Sequence, residues 1–191
     1  MSALQVDMVV VTIGCVIALG LLLHLRKRHA WSVERQSRPA ALQDAELIHI
    51  EKTFRMTSPV AITAKLDRAY RLPSGLLVLV ELKTRWTSKP SFSDVIQVSA
   101  QRVALSAVTG QTVSAKAFVL IARPGVRRAP TAHRVDLLSA DQVVALVRRR
   151  EAILADRTSP RYAAEASHCQ ECAFRSQCEG AGKSRRNLAD G

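Results

Sequence analysis

The stretch from Leu66 to Thr84 constrains the fold more than any other part of the chain. Leu66-Asp67-Arg68 leads through a turn, Pro73-Ser74-Gly75, into an apolar run from Leu76 to Val80 that ends abruptly in Glu81-Leu82-Lys83-Thr84. Five consecutive apolar residues suit a strand covered on both faces, and Ala64 to Tyr70 reads as the strand before the turn. Side chains alternate along a strand, so Glu81 and Lys83 point one way and Leu82 the other. Opposite charges are thereby set at the rim of an apolar core, which costs free energy unless they are paired or bind something. Pairing of the two strands as a hairpin brings Asp67 to the same rim. Strands also often end in charged residues, and Glu81 with Lys83 then forms an exposed pair of little energetic consequence.

The residues that follow extend the pattern. Ser91 or Ser93 can cap a helix that runs to Thr109, with Gly110 as its stop. Ile96, Ala100, Val103 and Ala107 recur at helical spacing and predict its buried stripe. Asp94, Gln97 and Gln101 share another face, with Gln97 toward the charged rim and Gln101 one turn beyond. Lys116 to Ala122 reads as a strand, Arg123 to Arg128 as a basic turn, and His133 to Leu138 as a returning strand. Ser139 with Gln142 is a capping-box pattern opening a helix with Val143, Val144 and Val147 inward. Upstream, Ala45 to Phe54 reads as a short helix or strand. The order implies one mixed α/β sheet with helices packed on it.

This arrangement resembles the PD-(D/E)XK nuclease superfamily, most closely its RecB-like branch, which includes RecB-like exonucleases associated with CRISPR adaptation. Asp67 matches the first-motif Asp, Glu81 and Lys83 the E-x-K, and Gln97 the Gln of the helix that follows. The resemblance implies a restriction-endonuclease-like mixed sheet flanked by helices. It also implies that Asp67 and Glu81 hold Mg²⁺ or Mn²⁺, that Lys83 assists the attacking water, and that Gln97 orients water or substrate. In RecB-like nucleases an upstream His or Glu can complete the metal site, and His49, Glu46 and Glu51 are the candidates here. The chain departs from the family at Gln101, where the RecB-like helix has Tyr; the amide keeps a hydrogen-bonding group and loses the stacking surface. The resemblance covers Ile62 to Val108, with a cysteine tail in addition.

A net charge of +12 with only 4% aromatic residues points to a polyanionic partner: DNA, RNA, or an acidic lipid surface. The loop from Thr84 to Pro90 carries Arg85, Trp86 and Lys89 beside the proposed site, and these with Gln101 are candidate nucleic-acid contacts. Trp86 equally suits a cap on the core. Met8 to Leu25 contains no Asp, Glu, Lys or Arg and as a helix spans roughly 27 Å, close to a bilayer's hydrocarbon thickness. No basic region precedes it, and Arg26-Lys27-Arg28-His29 follows it. The positive-inside rule then predicts a single-pass anchor in the inner (cytoplasmic) membrane, with the C-terminal domain in the cytoplasm and Trp31 at headgroup level. Cys15, inside this span, reads as a small apolar residue.

Cys169, Cys172 and Cys178 form the second concentrated signal, with two and five residues between them. In a cytosolic tail this argues for metal ligation over disulfides. The resemblance to RecB-like and AddB-type nucleases implies a [4Fe–4S] cluster, held by three such cysteines and one upstream. The remaining cysteine here is Cys15. A histidine completing the site, His168 or His49, favours Zn²⁺ or an unusual cluster, and a three-cysteine cluster leaves one iron open. Three free thiols are the alternative without metal.

The expected organisation is an anchor over residues 1–25, a basic juxtamembrane linker over 26–44, and a nuclease-like domain over 45–158. A cysteine-rich tail over 159–180 and a disordered basic terminus over 181–191 follow. The function implied is a membrane-anchored, metal-dependent DNase, with target selection supplied by a partner protein or by DNA ends. The alternative is a catalytically inactive, membrane-tethered nucleic-acid-binding or adaptor module on the same fold.

Overall fold

A computed structural model describes residues 17–22, 24, 25, 32, 34–126, 128–161, 169, 172, 173 and 175–177. The chain divides into two units, one up to Val144 and one from Ala145 onward. In the first unit the elements run β1 (Glu46–Met56), β2 (Ile62–Arg71), β3 (Leu77–Thr84), α1 (Phe92–Thr109), β4 (Lys116–Ala122) and β5 (Thr131–Asp136). Helix α2 (Ala140–Leu154) begins there and continues into the second unit.

The five strands form one sheet in the order β1-β2-β3-β4-β5. Neighbours are antiparallel except β3 and β4, which are parallel. A parallel pair needs a crossover, and α1 supplies it. The apolar run is the buried strand β3: Leu77, Val78, Leu79 and Val80 are all in the core. Gly75 closes the β2–β3 hairpin at φ 84, a left-handed conformation that favours glycine.

Ala45 to Phe54, readable as helix or strand, is resolved as β1. It is not straight: the His49 and Phe54 rings meet edge-on at 5.4 Å. Five residues of straight strand cover roughly 16 Å. Between His49 and Phe54, Glu51 has φ 50, and the pairing with β2 shifts register between Leu47 and His49.

One face of the sheet buries Tyr70, Val78, Val80 and Leu120 under Leu42 and Ala45. Part of the segment expected to be a linker is therefore core. Glu34 is buried there, and Arg38 grips both of its carboxylate oxygens at 3.0 and 2.9 Å. Arg38 also donates to the carbonyls of Gln43 and Ala45 at 3.2 and 2.9 Å and lies 5.0 Å from the centre of the Tyr70 ring. The Tyr70 hydroxyl donates to Glu34 at 2.5 Å, and Arg68 donates to the Ser37 hydroxyl at 2.8 Å. Burial and the bond to Glu34 push the Tyr70 phenol up to about 12.

The other face takes α1. The helix starts at Ser91 and stops at Gly110, which adopts φ 68. Its buried side differs from the apolar stripe read from sequence. Val103 is buried, but Ile96 and Ala100 are half-buried and Ala107 is exposed. The buried residues of the helix are Asp94, Val98, Ser99, Gln101, Val103, Ala104 and Leu105. Polar residues are among them because each has a charged or backbone partner, so apolarity alone misplaces the face.

Helix α2 opens with the expected capping box, Gln142 N–H to the Ser139 hydroxyl at 3.2 Å and Ser139 N–H to the Gln142 side chain at 2.8 Å. Val143 is buried, while Val144 and Val147 are half-buried. In the second unit Arg149 donates to the Ser159 carbonyl at 3.3 Å, and residues Arg175–Gln177 form a 3-10 turn. Among the described residues no helix is long and apolar enough to cross a membrane. Most of Met8 to Leu25, the Arg26 to His29 cluster, Trp31, His168, Cys178 and the C-terminal stretch lie outside those residues.

Candidate active site

Arg68 pairs with Val80 in the β2–β3 hairpin, so the next positions outward are Asp67 and Glu81 on one shared face. Leu82 N–H donates to Asp67 Oδ2 at 2.7 Å, which fastens the first carboxylate to the strand that carries the second. Glu81 is only 2% exposed. Its Oε1 accepts from Lys83 Nζ at 2.7 Å and from Gln97 Nε2 at 2.6 Å, and its Oε2 accepts from Gln101 Nε2 at 2.8 Å. Lys83 also donates to Gln97 Oε1 at 2.7 Å, so Gln97 bridges acid and base. A buried carboxylate without partners costs several kcal/mol. Here one ammonium and two amides meet it, and Lys83 and Gln97 form the side open to solvent.

The N-terminus of α1 sets this geometry. Asp94 accepts from both terminal nitrogens of Arg85 and from Ser91 N–H at 2.7 Å. Burial works to raise the Asp94 carboxyl, and the bonds from Arg85 and Ser91 outweigh it and hold the group below its ordinary value. The pinned helix start fixes the rotation of the helix. Gln97 and Gln101, three and seven residues on, then face the sheet.

A family model of the PD-(D/E)XK nuclease superfamily matches residues 17–179. The chain belongs to the PD-(D/E)XK nuclease superfamily. Among solved structures it is similar to SSO0001, with 19% identity and a TM-score of 0.47 over 85% of this chain and 69% of that one. It is also similar to a protein from Eubacterium rectale provisionally described as an exonuclease, with 13% identity and a TM-score of 0.46 over 76% of this chain and 57% of that one. No curated protein matches the chain.

PD-(D/E)XK nucleases typically use a divalent cation, and the donor set here fits one. Asp67 Oδ1 has no hydrogen-bond partner among the described residues, and Glu81 occupies the adjacent rung. Two hard carboxylates suit Mg²⁺, which keeps several waters and takes substrate oxygens besides. Among the described residues no three His, Cys, Asp or Glu side chains converge on one point. The upstream candidates are engaged elsewhere: Glu46 with Arg71 at 3.4 Å, Glu51 with Lys65, and His49 with the Phe54 ring. Burial, with Lys52 and Arg71, pushes the His49 imidazole down against a backbone hydrogen bond at Ile48.

The expected nucleic-acid contacts separate into two groups. Trp86 is 73% exposed and Lys89 is exposed, so Trp86 does not cap the core. Arg85 is committed to Asp94 and to the Lys89 carbonyl at 3.0 Å. Gln101, expected to contact substrate, is buried at 2% exposure and holds Glu81 and the Lys65 carbonyl, the latter at 3.0 Å. Cys169 is half-buried and Cys172 exposed.

Gln101 is the residue whose role the sequence concealed. Its spacing from Gln97 was the available signal, since i and i+4 share a helix face. Gln101→Ala leaves Glu81 Oε2 and the Lys65 carbonyl without this donor, and the expected cost is about 1–3 kcal/mol. Thermal unfolding reads it: a melting temperature equal to that of the unmodified chain contradicts the role.

Proposed function

We propose that the chain is a membrane-anchored, divalent-metal-dependent DNase of the RecB-like branch. The observation that carries this is the interlocked set at the family's own positions: Asp67 tied to Leu82 N–H, and Glu81 held by Lys83 and Gln97. Asp67 and Glu81 would hold Mg²⁺ or Mn²⁺, which supplies Lewis-acid polarisation of the phosphoryl oxygen and a more acidic water. The protein's own groups do the rest. Lys83, on the solvent side, sets a positive charge against the scissile phosphate and helps orient the attacking water. Gln97 directs its amide at water or substrate, and Gln101 keeps the Glu81 carboxylate from turning. The RecB-like placement rests on Gln97 following the E-x-K on a helix and on Cys169, Cys172 and Cys178 in the tail. In such a tail the cysteines hold an iron–sulfur cluster or zinc.

The anchor is supported by the charge-free run from Met8 to Leu25 with its basic flank. It is also supported by the exposure of Ile17, Leu19, Leu21, Leu22 and Leu25 on helical residues, at 48–64%. A soluble helix rarely leaves so many large apolar side chains open to water. The full chain in detergent micelles is expected to cut labelled DNA with Mg²⁺ or Mn²⁺ and to stop when EDTA is added. DNA binding without cleavage in either metal contradicts the enzyme and favours an adaptor.

A further inference from the structure

We propose that a basic cavity beyond the end of β4 is a phosphodiester-binding subsite for a DNA strand that crosses the active site. This rests on the nuclease reading above for the direction of the strand, and on the cavity itself for the chemistry. The cavity measures about 240 Å³, and its lining includes Ser88, Ile121, Arg123, Val126, Arg128 and Thr131. Among the described residues no carboxylate lines it.

Its two arginines are free to take a ligand. Neither Arg123 nor Arg128 forms an ion pair or side-chain hydrogen bond among the described residues. Arg38, Arg85 and Arg102, by contrast, are each spent on protein carboxylates or carbonyls. Two guanidiniums, which only donate, stand with the Ser88 and Thr131 hydroxyls, which can donate as well, and such a set suits a phosphate diester. The lip is shaped for this purpose by Pro124-Gly125. Gly125 sits at φ 71, and Val126 N–H returns to the Arg123 carbonyl at 3.3 Å, so the chain reverses and both arginines border one opening.

Position ties the cavity to the catalytic lysine. Ile121, in its wall, is the direct parallel partner of Lys83, and Thr131 pairs with Ile121 from the other side. Adjacent strands lie roughly 5 Å apart. The cavity therefore begins one strand spacing from Lys83, at the C-terminal ends of the parallel pair, where open α/β sheets bind ligands. A phosphate seated there belongs to a nucleotide close to the scissile one. Trp86, two residues before Ser88 on the same loop, is exposed and offers a stacking face for a neighbouring base.

The test is equilibrium binding of a labelled single-stranded oligonucleotide to the detergent-solubilised full chain in EDTA, as a function of salt. Binding is read without cleavage, so an inactive enzyme leaves the result intact. The Arg123→Ala/Arg128→Ala double variant is expected to bind at least tenfold more weakly. Its log K against log[salt] slope is expected to be shallower by about 0.7, the value for the loss of one phosphate contact on a single strand. Arg148→Ala/Arg150→Ala removes the same charge from outside the cavity and is expected to keep the original slope. Equal loss in both variants, unchanged binding in the first, or loss of binding to anionic-lipid vesicles with DNA binding intact each overturn the proposal. The same applies if the unmodified chain binds no DNA.

Discussion

Glu81→Ala and Lys83→Ala are each expected to lower single-turnover DNA cleavage by about three orders of magnitude or more. Positioned proton-transfer groups are worth about 10²–10⁴ in rate, and a metal's charge stabilisation several kcal/mol, at tenfold per 1.36 kcal/mol. The two variants part company in stability. Lys83→Ala strips the ammonium from a buried carboxylate, but Gln97 and Gln101 still donate to Glu81. Lys83 is also 25% exposed, so the destabilisation belongs below the 3–5 kcal/mol of a broken buried pair. Glu81→Ala removes the buried charge itself and leaves Lys83 free to reach water. Its fold is expected to persist while cleavage disappears. Cleavage within tenfold of the unmodified chain in either variant contradicts the assigned roles.

Arg38→Ala carries the largest expected loss of stability, about 3–5 kcal/mol, because Glu34 is then left buried without its cation. Arg38 holds both Glu34 oxygens and the carbonyls of Gln43 and Ala45, so its loss also frees backbone acceptors. Arg38→Lys keeps the charge but not the planar fork, and is expected to recover only part of the loss. The pH dependence has a definite sign. Burial raises the Glu34 carboxyl, but hydrogen bonds from Arg38 and Tyr70 and the charges of Arg38 and Arg68 outweigh it, so the folded-state value lies below 4.5. A depressed carboxyl contributes stability that is present above its unfolded value and lost as pH falls through the folded one. The difference between the unmodified chain and Arg38→Ala is therefore expected to be full at pH 7 and to shrink below about pH 4.5. Urea unfolding in detergent at pH 7 and pH 4 reads both; a difference that does not change with pH contradicts the account.

The hairpin and its charges were legible because two local rules agree there. Uniform apolarity marks a doubly covered strand, and the alternation of a strand fixes which of Glu81, Leu82 and Lys83 share a face. The ends of α1 were legible as well, since Ser91 and Gly110 act through their own backbone. The inward face of α1 was not, because Asp94 and Gln101 are buried by partners 9 to 36 residues distant, which no helical period encodes. The same reason hid the Glu34 cluster. Glu34 and Arg38 stand four residues apart inside the expected linker, and Tyr70, 36 residues away from Glu34, joins them and makes that segment core. The irregularity of β1 was hidden too: Glu51 takes a left-handed conformation, which propensity disfavours at a non-glycine residue, and the register shifts between Leu47 and His49.

Metal-dependent DNA hydrolysis at Asp67 and Glu81 is read most directly from cleavage of end-labelled DNA by the full chain, run with Mg²⁺, with Mn²⁺ and with EDTA, beside Glu81→Ala. Products are expected in both metals, none in EDTA, and none from the variant. Products that survive EDTA, or that Glu81→Ala forms at the unmodified rate, contradict that assignment.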